Sequence, residues 1–233
     1  MIRLKNISIS TCILALSLLL LMPLEASAQY GLKKKKREVI LPDTTAFFNG
    51  IAVSADLLGP AMLWLGDYGS YEAALRVNLK DRWFPVLEVG LGKTDHVDDA
   101  TQTSYKVSSP YFRLGGDFNL LKNKHDIYRI YAGARYAFTN FKYDLGNPGV
   151  KDPVWGNVVP FEAHDAKCYY HWLEVCFGVD AKIIGPFHLG WSVRYKNRLF
   201  YDAGPLDNCW YVPGFGKSGK TAFGGTFNVI IDI

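Results

Sequence analysis

The chain has 233 residues, 26 Lys and Arg against 22 Asp and Glu, and a formal charge of +4. That length suits one domain with a complete core, and so small a charge gives no reason to expect a nucleic-acid partner. The composition is aromatic and glycine-rich, with 14 Tyr, 14 Phe, 6 Trp and 22 Gly at a mean hydropathy of +0.01; beyond the N-terminus no stretch approaches the roughly 18 apolar residues of a membrane helix.

Residues 1–28 read as a secretory signal peptide. Arg3 and Lys5 form a positive start, Ile13 to Met22 an apolar core closed by Pro23 and Glu25, and Ala26-Ser27-Ala28 a cleavage site. Cys12 lies within the apolar run, away from the cleavage point, so no lipoprotein anchor is expected. Removing Arg3, Lys5 and Glu25 takes away two bases and one acid, which lowers +4 to +3 and starts the mature chain at Gln29. Residues 29–45 form a basic tail around Lys33-Lys34-Lys35-Lys36-Arg37. Two readings stay open for it: a solvated tail, or a contact for anionic headgroups or an acidic protein partner.

Residues 46–233 carry a period of two, the strand signal. Strand one runs near Phe47 to Leu57, and Leu58 to Gly69 turns the chain, with an apolar Ala61-Met62-Leu63-Trp64-Leu65 expected at a membrane interface. Ser70 to Gly92 is a hairpin about Asp81-Arg82: Tyr71, Ala73, Leu75, Val77 and Leu79 share one face, Glu72, Ala74, Arg76 and Asn78 the other. A polar loop is expected over Lys93 to Val107, and strand four near Phe112 to Asn119. Strand five sets Tyr128, Ile130, Ala132, Ala134, Tyr136 and Phe138 against Arg129, Tyr131, Gly133 and Arg135. The longest loop is expected over Asn140 to Ala166. Strand six sets Leu173, Val175, Phe177 and Val179 against Glu174, Cys176, Gly178 and Asp180, and Gly185-Pro186 turns into strand seven, where Trp191 and Val193 oppose Ser192 and Arg194. A loop over Tyr201 to Gly219 leads to strand eight, which runs to Ile233.

The connections alternate long and short, with both chain ends on the short side. The pattern predicts an all-β fold, an eight-stranded antiparallel up-and-down transmembrane β-barrel. Three features put the apolar face in lipid. The polar face mixes long charged side chains with Gly90, Gly115, Gly133, Gly178, Gly190 and Gly224, and glycine in a strand marks a close approach. The apolar face is too bulky for the inside of eight strands. Trp83, Tyr111, Tyr128, Tyr136, Tyr169, Trp191, Tyr195 and Tyr201 lie near strand ends, as aromatic girdles require.

The polar face then lines a narrow lumen. It carries Glu72, Glu88, Asp117, Glu174 and Asp180 against Arg76, Arg113, Arg129, Arg135, Lys182 and Arg194. Buried charges persist when paired, so an Arg–carboxylate lattice is expected to plug the lumen. The pattern resembles the small eight-stranded outer-membrane barrels of the OmpA transmembrane domain, OmpX and OmpW type. The segments Gly50 to Asp56 and Tyr68 to Gly92 are also similar to an uncharacterised family of outer-membrane barrels of about this length. That resemblance implies a Gram-negative outer-membrane location and a periplasmic tail, and it transfers no catalytic residues. The C-terminal Ile233 departs from the terminal aromatic usual in such barrels.

Other motifs are weaker. Gly214 to Thr221 fits G-x-x-x-x-G-K-[ST], yet an alternating strand follows where a phosphate-binding helix is required. Asp95-His96-Val97-Asp98-Asp99 is either a solvated loop or a divalent-cation ligand set of no defined spacing. The His–Asp pairs at 95–96 and 164–165, with Ser104, would serve a hydrolytic site only if folding gathers them. His188 is expected to hydrogen-bond in the lumen, and the three mature cysteines leave one unpaired. Cys168 and Cys209 lie toward one rim and are expected to form a disulfide, with Cys176 a small lumen residue. Nothing in the sequence calls for a cofactor or a metal. The expected function is non-enzymatic: a monomeric barrel with a structural or surface-interaction role through its loops. Its partners would be outer-membrane lipids, the barrel-assembly machinery and a protein at the loops or tail. A lipid-modifying enzyme and a narrow channel for small apolar molecules are the alternatives.

Overall fold

A computed structural model describes residues 46–151, 156, 158–204 and 209–233. Residues 1–45, where a signal peptide and a basic tail are expected, lie outside the described residues. The elements are β1 (Phe48–Asp56), α1 (Leu58–Leu65), β2 (Tyr68–Leu79), β3 (Trp83–Val97), β4 (Ser104–Asn119), β5 (Tyr128–Lys151), β6 (Val158–Ile184), β7 (Phe187–Asp202), the short β8 (Tyr211–Val212) and β9 (Gly216–Lys217), and β10 (Thr221–Asp232). Eight of the strands close into an antiparallel barrel in the order β1-β10-β7-β6-β5-β4-β3-β2. Closure runs from Asp56 opposite Asn228 to Ala52 opposite Asp232, and Ile51 and Ile233 then exchange both backbone hydrogen bonds, at 3.2 and 2.7 Å.

One end has short turns, the periplasmic end by the rule for such barrels. Lys80 and Asp81 both take positive φ, 56° and 53°, in the first of them. Side-chain bonds hold that conformation: Asn78 Oδ1 accepts from the Asp81 N–H at 2.8 Å, and Asp81 Oδ1 accepts from Asn78 and Asn49 amides at 2.6 and 2.8 Å. Burial works against the Asp81 carboxylate, but these donors and His125 outweigh it and hold its pKa below the usual Asp value.

Around the barrel the outward face is apolar. Val53, Leu75, Leu87, Leu114, Val175, Phe177, Trp191, Val193 and Phe223 are exposed, while Arg76, Glu88, Arg113, Asp117, Arg135, Glu174, Asp180 and Arg194 are buried. Water does not tolerate so continuous an exposed apolar surface, and a bilayer requires it. Among the described residues no helix is long and apolar enough to cross a membrane, so the strands do the crossing.

Three expectations about the outer end need correction. The strands run further than their apolar faces suggest: β3 continues to Val97, β4 starts at Ser104, and β5 and β6 extend to Lys151 and from Val158. Tyr111, placed in the aromatic girdle, is fully buried in the lumen. The apolar run after β1 is helical. β1 stops at Asp56 while β2 and β10 go on, and α1 lies on the outward face beside them, Leu58 over Gly225 and Leu63 over Gly69. Asp56 accepts the N–H groups of Leu58, Gly59 and Phe227 at 3.2, 2.8 and 2.9 Å, which satisfies the helix start and the β10 edge that β1 leaves open.

Candidate functional site: a filled lumen

Alternation points one polar side chain inward from every second residue of each strand, and the lumen stacks them in tiers. The middle tier is ionic. Glu88 on β3 receives Arg135 Nε from β5 at 2.7 Å, Arg194 Nη1 from β7 at 2.6 Å and Arg113 Nη1 from β4 at 3.2 Å. Glu174 on β6 lies 2.9 Å from Arg113 Nε and 3.5 Å from Arg194, and accepts Trp172 Nε1 at 2.6 Å. Glu72 on β2 meets Arg113, Arg194 at 3.4 Å and the Tyr111 hydroxyl at 2.7 Å. Asp117 takes Arg135 in a two-pronged grip at 2.8 and 3.1 Å. Such shared, forked contacts satisfy buried charges that would otherwise be prohibitive. The glycines make room: a side chain on Gly133 would enter the Asp117 carboxylate, and one on Gly90 or Gly178 the ring of Tyr111 or Tyr131.

Below lies a cavity of about 330 Å³ open toward the turn end. Arg76 and Arg129 share Asp180 at its floor, with Arg76 at 2.9 Å, and the Arg129 guanidinium stacks on Phe84 at 4.1 Å. Lys182, expected in the lattice, is exposed at this mouth and ion-pairs with none of the described residues; its position at the strand end puts it past the buried tier. His188 Nε2 lies 2.8 Å from Asp232 Oδ2 at the same rim.

The upper tier is aromatic. Tyr105, Tyr143, Tyr170 and Trp172 point inward from the strands, and the β7–β10 connection folds down among them, burying Tyr211, Val212, Pro213 and Phe215. Its carbonyl at Gly214 is held by Arg113 Nη2 at 2.9 Å and by Lys196 Nζ at 2.6 Å; Lys196 also reaches the Phe215 carbonyl at 3.1 Å. Gly214 has φ +79°, and a Cβ there would enter the Tyr111 ring. The phosphate-loop match therefore has another origin: its first glycine is the tip of a plug, and β10 follows. Lys196 shares the parity of Ser192 and Arg194 on β7, but its role depends on a plug that carries no periodic signal.

The other motif residues each bond elsewhere, and none of the bonds joins His96, Ser104 and His164 to one another. His96 stacks on Trp210 at 4.2 Å and lies 2.9 Å from Asp67, Ser104 donates to the Gly146 carbonyl at 3.2 Å, and exposed His164 is 3.5 Å from Glu162. Asp95 pairs with Lys106 at 2.8 Å; that hydrogen bond and charge raise the lysine's pKa. Asp98 accepts the N–H groups of Thr101 and Ala100, which keep its carboxyl below the usual range. Among the described residues no group of three or more His, Cys, Asp or Glu is placed to hold a metal ion. The expected disulfide is absent: Cys168, Cys176 and Cys209 are free and buried. The Cys209 thiol turns to the Tyr105 hydroxyl and the Tyr211 carbonyl, both at 3.3 Å, and Cys168 toward the Ala166 carbonyl at 3.8 Å. Cys176 is indeed a lumen residue, against Arg135 Nη1 at 2.8 Å.

A family model matches residues 6–232. The chain belongs to the family described as Domain of unknown function (DUF6048). No curated protein matches this DUF6048 chain. Among solved structures it is similar to Neisserial surface protein A (NspA), at 14% identity and TM-score 0.42 over 80% of this chain and 99% of that one. CarO2 of Acinetobacter baumannii gives 15% identity and TM-score 0.41 over 81% and 100%. Ail, the attachment invasion locus protein of Yersinia pestis, gives 9% and 0.37 over 78% and 93%. The barrel reading of the DUF6048 chain stands on its own strand register, which closes on itself.

Proposed function

We propose that this protein is a non-enzymatic, monomeric outer-membrane barrel that works at its outer surface, as a structural or surface-interaction element. The observation that carries this reading is the plug. Arg113 and Lys196 staple the Gly214 carbonyl over a lattice that already fills the lumen's width. A filled interior leaves the outside as the working surface. Ser104, His96 and His164 are bonded to the Gly146 carbonyl, Asp67 and Glu162 and not to one another, which gives no support to a hydrolytic site. On this reading the partners are the surrounding lipids, the assembly machinery that inserts barrels, and a protein met at the outer connections or the basic tail; nucleic acid is not among them.

Purified protein in a planar bilayer tests it. The expected record is flat at porin scale, for the wild type and for Phe215→Ala, whose lattice stays intact. Porin-scale steps in the wild type would overturn the filled-lumen reading. Unchanged lipid composition in cells carrying His96→Ala and His164→Ala is expected as well, and an altered composition would favour the lipid-modifying alternative.

A further inference from the structure

The barrel wall has a fault on its outward side. Pro110 in β4 has no N–H to give to the ladder, and the β4–β5 pairing lapses between Val107 opposite Tyr143 and Phe112 opposite Phe138. Side chains mend the seam: Ser109 Oγ donates to the Asn140 carbonyl at 3.1 Å and Thr139 Oγ1 to the Pro110 carbonyl at 2.8 Å. A depression of about 760 Å³ lies over this seam and reaches across to β6.

Its polar groups are uneven. Lys142 and Lys167 sit directly opposite one another on β5 and β6, both exposed. Two like charges so placed repel, and a sheet keeps such a pair at a cost unless something lies between them. The three aspartates of the depression are already engaged. Asp165 meets Lys142 at 3.1 Å, Asp144 accepts the Asp165 N–H at 3.0 Å, and Asp202 accepts the Gly204 N–H at 2.9 Å. Lys106 is held by Asp95. Lys167 forms no ion pair with the described residues, and the side chains of Ser108, Asn140 and Tyr169 make no hydrogen bond with them. Each of these four groups can donate.

Directly below, toward the belt, the outward face turns aromatic. Phe112 and Phe138 stack at 5.5 Å, His171 lies on Phe138 at 5.9 Å, and the Tyr136 hydroxyl meets His171 Nδ1 at 2.7 Å. Free donors above and an apolar wall beneath match a molecule with an anionic head and a greasy tail. We propose that this face of β4, β5 and β6 binds a phosphate-bearing lipid of the outer leaflet, with the phosphate between Lys142 and Lys167 and the acyl chains on the Phe112–Phe138 strip. This rests on the transmembrane reading, and it is independent of any protein partner.

Native mass spectrometry of the full chain released from detergent, with phosphatidic acid added, tests the proposal. A retained lipid adduct is expected, weakened about thirtyfold in Lys142→Ala/Lys167→Ala if each lysine contributes as a surface base does. The double variant Lys122→Ala/Lys182→Ala, changed only at the opposite end, should retain lipid like the wild type. Equal loss in the two double variants would overturn the proposal. So would equal retention of diacylglycerol, which shares the chains but lacks the phosphate. Competition by millimolar inorganic phosphate as strong as by the lipid would replace it with a soluble-anion site. Failure of the transmembrane reading would show itself differently, as a chain soluble without detergent that retains no lipid in any variant.

Discussion

Below Phe138, β5 shows Ile130, Ala134, Tyr136 and Phe138 outward and buries Arg135. Above it the same strand shows Asn140, Lys142 and Asp144 outward and buries Phe141, Tyr143 and Leu145. β4 inverts in the same way, from Phe112 and Leu114 outward to Lys106 and Ser108 outward with Tyr105 and Val107 within. β6 inverts between Leu173 outward and Cys168 and Tyr170 inward. The backbone does not change; the medium outside does. In lipid the wall must be apolar and the charges are driven inward, where they pair. In water the wall is polar and the aromatics form an ordinary core. The phase of the alternation therefore marks the edge of the bilayer.

The lower region should break hardest at its lattice. Glu88→Ala removes the carboxylate that three arginines share, and leaving buried charge unmatched costs about 3–5 kcal/mol. Guanidinium titration of the barrel folded into lipid vesicles measures it. The contrast between regions sharpens with one residue type placed on both. Val175→Arg, outward in mid-belt, should cost about 2–4 kcal/mol, while Ser108→Arg, outward above the inversion, should stay within about 0.5 kcal/mol. Equal costs would erase the distinction.

That inversion also explains which parts of the molecule were legible. Within the belt the apolar phase is unbroken, so the strands and the inward charges Glu72 to Arg194 could be read directly. At Pro110, Asn140 and Tyr170 the apolar residues shift by one position while alternation continues, and a search for one constant greasy face sees loops where strands run on. Tyr111 looked like a girdle residue because it stands at that shift. Lys182 kept the correct parity but lies one step past the buried tier. The plug was illegible, since its placement depends on Gly92 and Gly214 leaving room for Pro213 and Tyr111, which is long-range geometry. The cysteines share a rim, but side-chain direction, not chain position, decides whether sulfurs meet.

Two smaller effects follow. Three thiols should titrate in an unfolded chain that starts at residue 29, and its mobility should not change with reductant, because Cys168, Cys176 and Cys209 are free. At the turn end, the lowered pKa of Asp81 means its contribution is present above the ordinary Asp range and is lost as pH falls through the depressed folded value. Hydrogen exchange at the Asp81 amide, which donates to Asn78, should quicken only in that acid window, and Asp81→Asn should remove the dependence.

Depth measurement along β5 addresses the inversion most directly. Single nitroxide labels at 130, 132, 134, 136, 138, 140, 142 and 144, in a chain with Cys168, Cys176 and Cys209 replaced by alanine, report access to oxygen from lipid and to a nickel chelate from water. Oxygen should dominate through 138 and the chelate from 142 onward. Chelate access at 134, or lipid-like access at 142 and 144, would contradict the account.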